Sequence, residues 1–405
     1  MVVEFTVGNF LSFSEKKTLS FEAKGISELK ANVVNIHKNK LLRSSVVYGA
    51  NSSGKSNLIK AFSRMREMVL LSVKLNYSDK LDYTPFLLNG QKENEPTHFE
   101  IIFEDGTQRY RYGFEYTRTH IEKEWLFVGR PEKPLFVRTL DGIGVVSTFK
   151  EGKGKELATN DNRLFVSLVA QLGGSISKRI LDLFRNYNVL SGLDHNDYKG
   201  FTAAMFDGAL NGYNDSKMLY QNLKLGFKDI VAKRKTYNIT NGESLKAGFQ
   251  IDLHTIHSKY DNNGKTIGEV TFDRENNESE GTNKLIDISG PIFDTLIHGK
   301  LLIIDELDAK FHPLITFYIV NLFNSPESNP NNAQLFFATH DTNLLSTELF
   351  RRDQVWFTEK DSLEQSDLYS LYHFTLPDGT KVRNDANVEK NYIRGRYGAI
   401  PFITY

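Results

Sequence analysis

The sequence predicts an α/β protein, and three observations carry that prediction. A continuous apolar run, Leu301-Leu302-Ile303-Ile304, ends in Asp305-Glu306. A strand that is apolar throughout is buried on both faces, as in the parallel sheet of an α/β domain. A second such run, Gln334-Leu335-Phe336-Phe337-Ala338-Thr339, ends at His340. Between them in logic, though first in the chain, a glycine-rich segment follows the strand-like Ser44 to Tyr48. It precedes Asn57 to Met65, whose apolar residues recur at helical spacing.

The other elements follow in order. Val3, Phe5 and Val7, then Phe10, Phe13, Leu19 and Phe21, alternate in the manner of half-buried strands. Residues 97–160 predict a β-rich arm with a hairpin turn at Glu104-Asp105-Gly106. Residues 161–236 predict a helical insertion, its helices kept short by Gly173-Gly174 and by the stretch from Gly208 to Asn214. Asn262-Asn263-Gly264-Lys265 predicts a further hairpin, and Lys284 to Thr295 a helix. The expected division is an N-terminal part (1–96), the arm (97–160), the insertion (161–236) and a C-terminal part (237–405). Sustained heptads are missing, which argues against a long coiled coil.

Composition narrows the class. A chain of 405 residues has room for two or three units. Charged residues at 25% against 40% hydrophobic exclude a disordered or fibrous protein. Lys plus Arg equal Asp plus Glu at 50 each, so bulk charge does not select nucleic acid, although a local basic patch stays open. The lack of cysteine removes disulfides, zinc ribbons and thiol catalysis, and fits a reducing compartment. No signal-peptide pattern and no run of roughly 18 apolar residues is present, so a cytoplasmic protein without a membrane partner is expected.

The glycine-rich segment reads Gly49-Ala50-Asn51-Ser52-Ser53-Gly54-Lys55-Ser56 and fits the pattern G-x-x-x-x-G-K-[ST]. Glycines there let successive backbone N–H groups, from Asn51, Ser52 and Ser53 through to Asn57, converge on phosphate oxygens at a helix N-terminus. Lys55 is placed to reach the β- and γ-phosphates and the Ser56 hydroxyl to ligate Mg²⁺. ATP with Mg²⁺ is the expected ligand. Such a site needs a carboxylate at the end of a neighbouring buried strand, and Asp305 fills the metal role beside Ser56. Glu306 is the candidate catalytic base that polarises the attacking water, and His340 the candidate catalytic partner at the γ-phosphate. Each has a plainer alternative: an acidic strand end for the pair, a boundary residue for the histidine.

Together these segments resemble an ABC-type ATPase head of the soluble Rad50/SMC class, and more closely the bacterial AAA15 or AbiLi-like ATPases of anti-phage abortive-infection systems. The resemblance rests on Val7-Gly8-Asn9-Phe10-Leu11-Ser12-Phe13, Tyr48 to Asn57, Ile304-Asp305-Glu306-Leu307-Asp308 with Phe311-His312-Pro313, Ala338-Thr339-His340-Asp341, and the tail Lys390 to Pro401. It implies an ABC-ATPase head with an N-terminal β-rich lobe and a helical insertion. It also implies a homodimer or higher homo-oligomer in which a second chain closes the site with a signature loop. Ser279 and Gly281, ahead of a helix, are the candidates for nucleotide contact from that loop, and Asp308 for the loop between subunits. Gln108 or Gln171 would supply the glutamine loop, Phe13 would lie either near adenine or in the core, and Arg394 and Arg396 would be either a docking pair or solvated charges. The function implied is slow ATP hydrolysis that controls a separate protein effector, encoded by a neighbouring gene, in defence. The alternative is a DNA-associated Rad50/SMC-like repair ATPase, or the ATPase subunit of an OLD-like nuclease complex. Nucleic acid as a partner is left open.

Overall fold

The computed structural model describes residues 1–36, 39–193, 196–241 and 244–401. A six-stranded sheet runs in the order Tyr187–Ser191, Leu301–Asp305, Gln334–Ala338, Ser44–Tyr48, Val355–Lys360, Ser366–Ser370. Its first five strands are parallel and the last is antiparallel. All of Ser44–Tyr48 and Gln334–Ala338 is buried, as are Leu301 to Ile304. Shared direction brings the ends at Tyr48, Asp305 and Ala338 to one edge, the edge at which open α/β sheets bind ligands.

A seven-stranded antiparallel sheet is built from Gly142–Val145, Lys133–Thr139, Ile121–Val128, Arg109–Tyr116, Thr97–Glu104, Val2–Gly8 and Lys17–Ser20, in that order. The alternating N-terminal strands and the 97–160 arm therefore form one sheet, because Val2–Gly8 pairs with Thr97–Glu104. The helix Lys55–Leu71 lies between the two sheets. Phe62 stacks on Phe5 of the antiparallel sheet and approaches Phe336 of the parallel one, with ring centroids 3.7 and 5.8 Å apart. Burying one such ring contributes about 1.5–3 kcal/mol, so this contact fastens the middle of the helix to both layers. On the other face the parallel sheet packs against Glu280–His298 and Pro313–Asn324.

Residues 161–236 carry the short helices Phe165–Gln171, Ser175–Arg185, Asn196–Phe206 and Tyr213–Leu223. They also carry two strands that the helical reading did not anticipate. Tyr187–Ser191 is the edge strand beside Leu301–Asp305. Asp229–Asn241 pairs with Ser244–Tyr260, which pairs in turn with Thr266–Asp273. For Tyr187–Ser191 the partner lies more than a hundred residues away, and for Asp229–Asn241 it is the next strand in the chain; in both, pairing outweighs a weak local preference. The hairpin before Thr266 forms as expected, with Gly264 N–H donating to the Asp261 carbonyl at 3.0 Å. No described helix is long and apolar enough to cross a membrane.

Candidate functional site

The glycine-rich loop leaves the sheet at Tyr48 and enters the helix at Lys55. Gly54 has φ +120°, and a Cβ there would stand 2.4 Å from the Ser366 hydroxyl, so glycine is required on both conformational and steric grounds. No side chain caps this helix. Its first-turn amides, lacking intrahelical partners, are available to a ligand. They open onto a cleft of about 330 Å³ lined by Asn51, Ser52, Ser53, Gly54, Lys55, Ser56, Asn57, Glu306 and His340.

The loop is anchored from behind. Ser53 Oγ lies 2.7 Å from Thr358 Oγ1. Ser366 Oγ lies 2.7 Å from both the Ser53 carbonyl and Ser12 Oγ, and Asn57 Nδ2 donates to Ser12 Oγ at 2.8 Å. The early Asn9-to-Phe13 segment thus serves the site through Ser12. Phe13 itself is wholly buried in the core, which answers the alternative posed for it. The buried Lys55 ammonium donates to the Gly49 and Ala50 carbonyls at 2.8 and 3.0 Å. Burial pulls its pKa down to about 8, opposed by Asp305, Glu306 and Asp308.

Glu306 follows the strand Leu301–Asp305 with φ +52°, a left-handed conformation that is uncommon for a residue with a side chain. The turn is held from two sides. Leu307 N–H donates to the Ala338 carbonyl at 3.2 Å, and Gly192 N–H to the Asp305 carbonyl at 2.6 Å. A Cβ on Gly192 would come within 1.9 Å of the Glu306 carbonyl. Gly192 is a site residue that the sequence reading missed. Its only sequence signal is a glycine closing a short β-like run. Asp305 Oδ1 and Asp308 Oδ1 are buried without a hydrogen-bond partner. Such orphaned carboxylate oxygens suit a cation, although neither aspartate is among the residues that line the cleft with Ser56. His340 faces the cleft, and desolvation, then the Lys55 charge, hold its imidazole below its ordinary pKa.

Ser279 and Gly281 do not line this cleft. Ser279 is the N-cap of Glu280–His298, its hydroxyl accepting from Thr282 N–H at 3.1 Å. Gln108 and Gln171 are exposed and also lie outside the cleft, so neither occupies a glutamine-loop position here. Arg394 and Arg396 are exposed. The tail around them packs on the sheet: Tyr369 OH donates to the Tyr397 carbonyl at 2.7 Å and Tyr392 stacks on Phe357 at 5.3 Å.

Three solved structures illustrate what the fold is similar to. The SMC head domain from Thermotoga maritima aligns at 12% identity over 91% of this chain and 98% of its own, with a TM-score of 0.41. An SMC head bound to the C-terminal winged-helix domain of ScpA aligns at 12% over 91% and 97%, with a TM-score of 0.44. An SMC head with an extended coiled coil, bound to the C-terminal domain of ScpA derived from Pyrococcus furiosus, aligns at 12% over 91% and 96%, with a TM-score of 0.36. No curated protein matches the chain. Residues 44–346 match the family described as "AAA domain, putative AbiEii toxin, Type IV TA system", a span well over half of the 405 residues, and the chain belongs to that family of P-loop ATPases.

Proposed function

We propose that this chain binds and hydrolyses ATP at the Gly49–Asn57 cleft and that nucleotide joins two copies of it. The observation that carries the reading is the single cleft in which the loop, Glu306 and His340 meet. Lys55 exchanges its loop carbonyls for the β- and γ-phosphate oxygens, and the uncapped first turn of the helix donates to them. Ser56 and Asp305 would hold Mg²⁺, which when bound neutralises charge on the phosphates. Glu306 orients and deprotonates the attacking water, and a neutral His340 donates to the γ-phosphate. Ser279 and Gly281 of the second copy close the open side. Ser279 is exposed and neither residue lines the cleft of its own chain, which supports that role.

Glu306→Gln tests this directly. The variant is expected to bind ATP, lose turnover by about 10²-fold or more and accumulate as a dimer in light scattering with size exclusion. Native turnover in Glu306→Gln would place the base elsewhere.

Beyond ATP, our reading is a controller of a separate toxin or effector in defence, of the AAA15 kind; the family's printed description goes only as far as "putative AbiEii toxin, Type IV TA system". The DNA-associated alternative is the one to which the SMC-head names belong. Stimulation of turnover by duplex DNA would select the latter, and co-purification with the neighbouring gene's product the former.

A further inference from the structure

One lysine is buried where a globular core would ordinarily place an apolar residue. Lys284, one turn into Glu280–His298, has no exposed surface. Its ammonium donates to the Leu307 carbonyl at 3.1 Å and to the Ala309 carbonyl, and lies 4.2 Å from the Phe311 ring centroid. The two carbonyls flank Asp308 and follow directly on Glu306, so Lys284 clamps the turn that holds the candidate base. Burial pulls the lysine pKa down to about 8, against the pull of Asp308. Burying an ammonium costs stability that an apolar side chain of similar length would not, so packing alone does not account for it.

The same helix start is fastened on its other side to the sheet of residues 229–273. Arg274 pairs with Asp287 at 2.6 Å, both fully buried. Asn283 Nδ2 donates to the Arg274 carbonyl at 3.0 Å. Glu278, next to Ser279, accepts from Thr255 Oγ1 at 2.6 Å and pairs with His257 Nε2 at 2.7 Å. Glu280 pairs with Lys310 at 3.2 Å, again on the carboxylate side. A displacement of the Ser279 segment therefore has a short, rigid route to the carboxylate turn, and Lys284 is its buried link.

We propose that Lys284 is a positioning residue that couples the Ser279 segment to Glu306, so that closure by a second copy sets the geometry for hydrolysis. This rests on the reading of the site given under Proposed function. The full-length protein is compared with Lys284→Met and with Lys284→Arg, which keeps N–H donors. Expected for Lys284→Met are MgATP affinity and KM within about twofold of native, kcat lowered ~10-fold, and faster amide exchange confined to residues 305–311. Lys284→Arg is expected to restore part of kcat. The proposal is overturned by native kcat in Lys284→Met, or by a loss in which KM, Tm and exchange across the whole domain change together. Lys284→Gln, which keeps a shorter donor, takes the place of the Met variant should that fail to fold, and the same two results would overturn the proposal. Glu306→Gln is run alongside, because native turnover there removes the hydrolysis reading whatever Lys284 does.

Discussion

Two loop-to-helix junctions in this chain use the same residue types and are built for opposite situations. At the first, Gly54 opens Lys55–Leu71 with no side-chain cap, and the amide end faces a cleft shared with Glu306 and His340. At the second, Ser279 caps Glu280–His298 with its own hydroxyl and stands exposed, outside the lining of that cleft. An uncapped helix start is a cost unless something binds it, whereas a capped one is stable by itself. The first junction is thus prepared for a ligand within its own chain. The second is complete in one chain and has an outward hydroxyl to offer another.

Removing the cation should separate the two most strongly. Lys55→Ala is expected to weaken MgATP binding by ~10²-fold or more, since a charged group contacting phosphate in a partly buried site has no substitute. Isothermal titration at concentrations where the protein is monomeric reads this. Ordinary affinity in Lys55→Ala would mean that the first junction is not the nucleotide site.

Next in size is Gly192→Ala. Its methyl group would drive into the Glu306 carbonyl, and a displacement near 1 Å at a reacting group costs ~10²-fold in rate. With the turn yielding partly, kcat is expected to fall about 10- to 100-fold while MgATP affinity stays near native. An equal loss of affinity would mean that the substitution disturbs the first junction as well.

What could be read in advance follows from how local the requirement is. The chemistry of Lys55 and Ser56 needs a contiguous string of residues in one order, and that string is visible without any fold. The place of Asp305 and Glu306 at a strand end is legible because the apolar run before them announces a buried strand. Gly192 was not, since its importance comes from the register that sets Ser191 opposite Asp305 across more than a hundred residues. Lys284 looks like a surface lysine of an amphipathic helix until the carbonyls of Leu307 and Ala309 are brought to it. Asp229–Asn241 escaped for a related reason: Lys233, Arg234 and Lys235 interrupt its alternation, and its strand character comes from the partner it pairs with.

The smallest effect divides the two duties of Ser279. Ser279→Ala removes the acceptor for Thr282 N–H and should cost about 1 kcal/mol, seen as a shift in the urea midpoint at constant slope. Ser279→Asp keeps an acceptor at the cap and adds a negative charge favoured by the helix dipole, so its stability should stay within about 0.5 kcal/mol of native. That same charge would face the γ-phosphate held by the other copy. Ser279→Asp should therefore fold and bind MgATP as a monomer yet fail to form the dimer that Glu306→Gln traps. If the double variant still dimerises with ATP, the second junction contributes a helix cap and nothing to assembly. The contact that closes the cleft would then have to come from another exposed segment.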